Sequence, residues 1–144
     1  MIVIAGTSGI IAASDRKAAE AGACQNVLRD AGTVIVSPLV LAEVDHLAKA
    51  RFGSAARATI IAFILTQVRS TRFQMPQITT GILDTAQAVQ RRYADLDLEL
   101  ADAVNVALAA EYRSDAVLTL DRRDLRAVRP LTPHHAFRLL PDDL

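Results

Sequence analysis

The segment Ile2-Val3-Ile4-Ala5-Gly6-Thr7-Ser8-Gly9 decides the fold class of this chain. It opens with a short apolar run, mostly β-branched, and continues into a polar turn that contains two glycines. A continuous apolar run of this kind is typical of a strand that is buried on both faces, as the strands of a parallel sheet are. Because parallel strands need a crossover connection, usually a helix, the rest of the chain should alternate between strands and helices.

Strand-like and helix-like segments do alternate along the chain. Thr33–Val36 and Ala116–Leu120 are the clearest further strands, since both are short and mainly apolar. The remaining predicted strands are Phe73–Met75 and Phe137–Leu140. A first predicted helix begins at Ile10–Ala13. The other predicted helices span Arg16–Asp30, Ser37–Arg51, Ser54–Val68, Thr79–Tyr93 and Leu100–Tyr112. This order predicts an α/β fold, a single three-layer α/β/α domain over residues 1–144 with a mostly parallel central sheet.

Composition narrows the classes of protein to which the chain can belong. A hydrophobic fraction of 51% and a mean hydropathy of +0.24 argue against disorder. The 16 basic and 16 acidic residues cancel, so any nucleic-acid surface must be local. Cys24 is the single cysteine, which excludes an internal disulfide and a cysteine-based zinc cluster. No signal peptide or membrane span is evident, and we expect a soluble, cytoplasmic protein with no membrane partner.

Three carboxylates stand where a buried apolar segment meets a polar one: Glu43, Asp102 and Asp121. An acid in apolar surroundings is costly unless something neutralises it, and a divalent cation is the usual reason for gathering several. Ligands of parallel sheets bind at the carboxyl ends of the strands, where these acids can converge. Gly6 follows the first strand at a comparable place but offers no carboxylate.

Each acid also has an ordinary structural interpretation. Asp121 could simply be the N-cap of a short helix, and that role can coexist with a functional one. Glu43 taken alone would be an exposed helical residue. Asp102 is the hardest to explain structurally, because apolar residues surround it in Leu100-Ala101-Asp102-Ala103-Val104. The basic residues Arg122 and Arg123 would ordinarily be solvated, but beside an acidic pocket they could hold a phosphate backbone.

Read together, these segments resemble the PIN-domain ribonucleases of the VapC toxin type, from type II toxin–antitoxin systems. The resemblance runs almost the whole length of the chain. It rests on the order of four segments, each weak alone: Ile2–Ala12, Ser37–Glu43, Leu100–Ala103 and Leu118–Leu125.

The resemblance implies an endoribonuclease that depends on Mg²⁺ or Mn²⁺ and uses four acids. Glu43, Asp102 and Asp121 match three of them as catalytic residues and metal ligands. The first acid should be an aspartate just before Thr7, where this chain has Gly6, so the resemblance also implies impaired activity. Hydroxyls that could support the ligands are those of Thr7, Ser8 and Thr119.

The resemblance further implies an RNA substrate, a cognate VapB-like antitoxin that blocks the site, and a homodimer. The segments Leu39–Arg51 and Ser54–Val68 could form a groove for a partner helix, although core packing explains their apolar residues equally well. Those residues are Phe52, Ile60, Ile64 and Leu65.

Two other classes of function compete with this interpretation. A catalytically inactive PIN-fold module would bind antitoxin or RNA without chemistry, and Gly6 is its strongest support. A receiver-like domain would need an acidic pair after the first strand, where the chain has Gly6-Thr7. Gly6-Thr7-Ser8-Gly9 is also too short for a dinucleotide fingerprint and lacks the lysine of a phosphate-binding loop.

Overall fold

In the computed structural model, which covers residues 1–144, the chain forms five strands and seven α-helices. The strands are β1 (Ile2–Ala5), β2 (Thr33–Ile35), β3 (Phe73–Gln74), β4 (Ala116–Leu118) and β5 (Arg138–Leu140). The helices are α1 (Thr7–Ser14), α2 (Ala21–Asp30), α3 (Pro38–Phe52), α4 (Ser54–Arg69), α5 (Thr80–Arg92), α6 (Leu100–Glu111) and α7 (Arg122–Ala127). None of these helices combines the length and the apolar character that crossing a bilayer would require.

The five strands form one sheet in the order β3-β2-β1-β4-β5, and every neighbouring pair is parallel. The predicted sheet was mostly parallel; the observed sheet is wholly so. From β1 the chain winds outward through β2 and β3, and it then returns to the other side of β1 as β4. Ligands of such sheets bind in the crevice at this reversal, outside the carboxyl ends of the strands. The ends of β1 and β4 therefore define where a site should lie.

The predicted three-layer arrangement is confirmed, because successive buried residues of β1, β2, β4 and β5 belong to two different cores. Val3 and Ala5 of β1 pack with α1, α2, α3 and α4 on one face of the sheet. Ile4 packs with α5, α6 and α7 on the other face. Since successive side chains of a strand point to opposite faces, the apolar run of β1 is explained by helices on both sides.

Two helix boundaries differ from the prediction. Helix α1 already begins at Thr7, so the polar turn after β1 is itself the first helical turn. Helix α2 begins only at Ala21, five residues later than predicted. The cause is Asp15, whose side chain accepts a hydrogen bond from the Lys17 amide and whose carbonyl accepts one from Ala18. Asp15 thereby offers this part of the backbone a turn in place of a helix.

Strand β4 ends at Leu118, before the predicted end at Leu120. The amides of Leu120 and Asp121 leave the ladder and donate to the hydroxyls of Ser8 and Thr119, both at 2.9 Å. Side-chain acceptors thus replace strand pairing at the point where the chain enters the crevice.

Helix α3 begins and ends as the sequence predicts. Ser37 caps it, with its hydroxyl accepting from the Leu39 amide at 3.1 Å, and Pro38 occupies the first position. The joint to α4 is Gly53, whose φ of +92° is readily adopted only by glycine. The joint is tight enough to pack α3 and α4 against each other along one face of the sheet.

We predict that Gly9→Ala destabilises the fold by about 1–3 kcal/mol, because the site has no room for a methyl group. A Cβ on Gly9 would lie 2.5 Å from Leu118 Cγ and 3.0 Å from the Leu118 carbonyl oxygen. Leu118 is fully buried, so α1 would have to move away from β4. Urea denaturation measures the change in the free energy of unfolding.

Gly22 of α2 provides the matched control, since nothing lies within 4 Å of a Cβ placed there. Alanine has the higher helix propensity by about 1 kcal/mol, so Gly22→Ala should stabilise the protein slightly. Equal effects at the two positions would contradict the close approach of α1 to β4.

Candidate active site

A cleft of about 710 Å³ opens at the carboxyl ends of β1 and β4. Its walls include all three predicted carboxylates, on Glu43, Asp102 and Asp121, together with the hydroxyls of Thr7 and Ser8. Four separate parts of the chain supply these groups: the first turn of α1, helix α3, the first turn of α6, and the loop after β4. Residues distant in sequence therefore meet where the topology reverses.

Hydroxyl groups fix the floor of the cleft. Ser8 Oγ lies 3.2 Å from Thr119 Oγ1, and these two oxygens accept the backbone amides of Leu120 and Asp121. The first turn of α1 is thereby bound to the loop that carries Asp121. Asp121 also caps α7, since its Oδ1 accepts the amide of Asp124 at 3.5 Å. Its predicted capping role and its position in the cleft coexist.

Glu43 is held in the cleft by a hydrogen bond from a residue of α1. Thr7 Oγ1 donates to Glu43 Oε1 at 2.6 Å. Because only one carboxylate oxygen is used, the other can still accept a proton or bind a cation. Thr7 also sits in the first helical turn, where the helix dipole favours negative charge. Glu43 is thus a positioned group, not a freely exposed one.

The site raises the pKa of Asp102 from 3.8 to about 6. The largest cause is burial, which disfavours the charged form; the negative charges of Asp121 and Glu43 come next, followed by Asp124 and Glu99. Asp102 accepts no hydrogen bond from the protein that would offset this cost. A carboxylate in this state is a strong attractor for a cation, because a bound cation would relieve both the burial and the repulsion.

The three carboxylates do not form a ready-made metal site. No three His, Cys, Asp or Glu side chains lie close enough together to hold one ion as a ready-made set. Mg²⁺, however, keeps several waters and is usually bound by only one or two carboxylates. All the donors of this cleft are hard oxygens, which suit Mg²⁺ and Mn²⁺. The donor chemistry therefore fits such a cation, with water completing the coordination.

Gly6 is buried directly before Thr7, which lines the cleft, and it leaves the N-cap position of α1 without a side chain. Its amide donates to the Leu118 carbonyl at 2.8 Å, and its φ of −90° and ψ of 158° are open to any residue. A Cβ placed there would lie 2.8 Å from that same carbonyl oxygen. The backbone conformation is thus open to an aspartate, but its Cβ would force the β4 carbonyl or α1 to shift.

Sequence reasoning did not identify several other residues of the cleft. His46, Leu47 and Arg51 line it from the same helix as Glu43, and Asp15 lines it from the end of α1. The helical spacing would have indicated His46, Leu47 and Arg51, because residues three, four and eight positions after Glu43 lie on the same face of α3.

Asn105 is a buried polar residue one turn after Asp102. It is 4% exposed, and its Nδ2 donates to the Ala5 carbonyl at 3.2 Å, while its Oδ1 has no partner. The bond ties α6 to the last residue of β1, directly beside Gly6. Asn105 therefore links the helix that carries Asp102 to the strand that ends just before Gly6.

The basic residues of α7 are largely paired. Arg122 forms an ion pair with Asp142 through two hydrogen bonds, and Arg126 pairs with Asp143. The carboxylates of the acidic tail thus already occupy these guanidinium groups. Arg123 is exposed and has no ion pair, and its predicted contact with RNA stays a prediction.

The predicted partner surface on α3 and α4 contains one core residue. Ile64 is 2% exposed and packs inside the protein. Ile60 is partly buried and, together with Ile64, lines a groove of about 580 Å³ between α4 and the α1–α2 pair, with Ile10 and Leu28 on the opposite wall. Phe63, which sequence reasoning missed, stands in this groove and is 53% exposed.

The amino-acid sequence matches a known protein family and a named ribonuclease. The PIN domain family model matches residues 5–130. The chain is 31% identical over 130 residues to Ribonuclease VapC26 of Mycobacterium tuberculosis (strain ATCC 25618 / H37Rv), covering 90% of this chain and 93% of that protein.

Two solved structures share the fold. The crystal structure of Mycobacterium tuberculosis VapC20, a sarcin-ricin loop cleaving toxin, aligns with a TM-score of 0.76 at 21% identity, covering 87% of this chain and 94% of that one. VapBC2 from Rickettsia felis, bound to a DNA fragment from its promoter, aligns with a TM-score of 0.67 at 12% identity, covering 92% and 96%.

Proposed function

Because this chain belongs to the PIN-domain family and to the VapC ribonucleases within it, we propose that it is an endoribonuclease of a toxin–antitoxin pair that needs Mg²⁺ or Mn²⁺. The observation that carries the proposal is the convergence of Glu43, Asp102 and Asp121 on one cleft at the topological reversal of the sheet. The raised pKa of Asp102 supports a cation there, since the site is otherwise over-supplied with negative charge.

The chain's own groups divide the work of phosphodiester cleavage. Asp102 and Asp121 would hold the cation, directly or through water, and the Ser8–Thr119 hydroxyl pair would fix the loop that carries Asp121. A bound divalent cation supplies a more acidic water and offsets charge on the phosphate. Glu43, oriented by Thr7, has one oxygen free to accept a proton from the attacking water.

We propose that cleavage by this chain is weak, because Gly6 removes one of the four acids. With three carboxylates that do not form a ready-made ligand set, the affinity for the cation falls and the bound water is less well placed. Losing a group that merely supports a metal ligand costs about 10- to 100-fold in affinity or activity. The loss of a carboxylate that lines the site should cost at least as much.

Isothermal titration calorimetry with MgCl₂ and MnCl₂ tests the metal. We expect weak but measurable uptake that disappears in Asp102→Asn, accompanied by slow RNA cleavage that a chelator abolishes. If the chain takes up neither cation at any concentration and still cuts RNA in excess chelator, metal-dependent cleavage is wrong for this protein.

A second function, a non-catalytic module that binds antitoxin or RNA, is favoured by Gly6 and by the incomplete ligand set. The same titration separates the two functions. A module of this kind would bind its partner with no cation and would show no cleavage in Mg²⁺. It would also show no cleavage as the Gly6→Asp variant, which supplies the fourth acid.

We propose an antitoxin partner whose apolar helix lies in the groove between α4 and the α1–α2 pair. Exposed Phe63, with partly buried Ile60 beside it, gives this groove the apolar surface that helix-in-groove binding uses. Co-purification with a co-expressed VapB-like antitoxin should succeed with the parent chain and fail with Phe63→Ser. Light scattering on the isolated chain tests the proposed homodimer.

A further inference from the structure

A second groove, of about 650 Å³, continues from the carboxylate cleft. The two share Asp15 and Arg51 in their walls, so one leads into the other. The second groove runs between the turn after α1, which carries Arg16 and Lys17, and the joint of α3 with α4 at Phe52. A strand of polymer leaving the cleft in this direction would pass directly over these residues.

Three positively charged side chains of this groove have no partner within the protein. Arg16, Lys17 and Arg51 are exposed, and their side chains form no ion pair and donate no hydrogen bond. Five other arginines form ion pairs, as Arg57 does with Asp45. The one acid of the groove is Asp15, so its walls carry an excess of positive charge next to a strongly negative cleft.

The position of Arg51 relates the groove to the site of cleavage. Glu43 and Arg51 lie on the same face of α3, eight residues apart, which corresponds to about 12 Å along the helix axis. This separation places Arg51 at the end of the cleft that leads into the second groove, whose wall it also forms. Arg51 is well placed for another phosphate of the same strand.

We propose that this groove binds the backbone of the RNA strand beside the cleavage point, with Arg16, Lys17 and Arg51 contacting its phosphates. The inference rests on the proposed ribonuclease function and extends it to the path of the substrate. A nucleic-acid strand is favoured over an acidic peptide because the groove leads into the cleft, where the scissile phosphate of that strand would lie. Phe52 adds an aromatic surface, the usual companion of cations in single-strand grooves.

The test variant combines Arg16→Gln, Lys17→Gln and Arg51→Gln. Binding is followed by fluorescence anisotropy with a labelled single-stranded RNA of about 12 nucleotides. The variant should bind at least about 10-fold more weakly than the parent. The slope of log K against log salt should become shallower by about 2, since each lost phosphate contact removes about 0.7.

A matched control removes the same charge elsewhere, by Arg69→Gln, Arg91→Gln and Arg129→Gln. These residues are exposed, form no ion pair and line neither groove nor cleft. The control variant should bind RNA within about twofold of the parent and keep most of the salt slope. Circular dichroism should show that both variants keep the parent fold.

Two outcomes would overturn the inference while leaving the proposed function intact. The first is an RNA affinity of the groove variant equal to that of the control. The second is displacement of the RNA by polyglutamate as readily as by unlabelled RNA, which would make the groove a general anion surface. A parent chain that neither binds nor cuts RNA, even with Gly6→Asp, would instead overturn the ribonuclease function itself.

Discussion

Gly6→Asp is expected to raise Mg²⁺-dependent RNA cleavage by at least about 10- to 100-fold over the parent chain. The new carboxylate would stand at the end of β1, directly before Thr7 in the wall of the cleft that holds Asp102 and Asp121. A fourth oxygen donor would let the site hold a cation with fewer waters and better geometry. Cleavage of labelled RNA is measured with Mg²⁺ and again with chelator, and calorimetry records the gain in metal affinity.

The same substitution should lower stability in the absence of metal. The new Cβ would lie 2.8 Å from the Leu118 carbonyl oxygen, so β4 or α1 must shift slightly. A fourth negative charge would also add to the repulsion that already raises the pKa of Asp102. Capping of α1 by aspartate offsets only a few tenths of a kcal/mol. Thermal unfolding should therefore show a lower Tm without metal and a larger rise of Tm on adding Mg²⁺ than the parent shows.

Gly6→Asn and Gly6→Ala are the matched controls. Both bring the same Cβ against the Leu118 carbonyl, and asparagine also reproduces the shape of aspartate without its charge. Both should lose stability in the metal-free protein and gain no activity. If Gly6→Asp is no more active than Gly6→Asn, the absence of the first acid is not what limits this chain.

Local sequence was sufficient to predict the layers of the fold and the positions of the acids. The apolar run Ile2–Ala5 required cover on both faces, and Ser37-Pro38 specified the start of α3. Glu43, Asp102 and Asp121 were identified because each interrupts or ends an apolar segment, and segment ends in a parallel sheet meet at one edge. These features depend on neighbours in sequence, which a single chain displays directly.

Features that depend on which surfaces meet could not be predicted. The groove cations Arg16, Lys17 and Arg51 come from two distant segments, and nothing local distinguishes them from other exposed charges. Arg122 was predicted to hold a phosphate backbone because it stands beside an acidic pocket, and nothing local indicates that Asp142, twenty residues later, folds back onto it. The strand boundary at Leu118 depends on hydroxyls of Ser8 and Thr119, brought together only by packing.

Asp102→Asn is expected to stabilise the metal-free protein by about 2–3 kcal/mol at pH 7.5 while abolishing metal uptake and cleavage. The pKa of Asp102 is about 6 in the fold against an ordinary value of 3.8, and each unit corresponds to about 1.4 kcal/mol. Asparagine has the same shape and no charge to bury. Because Asp102 accepts no hydrogen bond from the protein, the exchange breaks none.

The gain in stability should depend on pH in a defined direction. Below pH 3.8 the carboxyl is protonated in both the folded and unfolded states, so the charge costs the fold nothing. Between pH 3.8 and about 6 the unfolded chain releases the proton while the folded chain retains it, and stability falls as pH rises. Above about pH 6 the carboxyl is charged in both states, and the full free-energy cost of burying its charge is present. The advantage of Asp102→Asn should therefore be largest above pH 6 and should shrink on acidification.

Urea denaturation at several pH values, without metal, measures this difference. Asp84→Asn on α5 is the matched control: Asp84 is exposed, so its exchange should change stability by no more than about 0.5 kcal/mol. Adding Mg²⁺ should stabilise the parent and leave Asp102→Asn unchanged, because only the parent retains the charge that attracts the cation. A carboxylate that weakens the fold until a cation neutralises it serves function at the expense of stability. If Asp102→Asn instead destabilised the metal-free protein at neutral pH, Asp102 would be a structural residue.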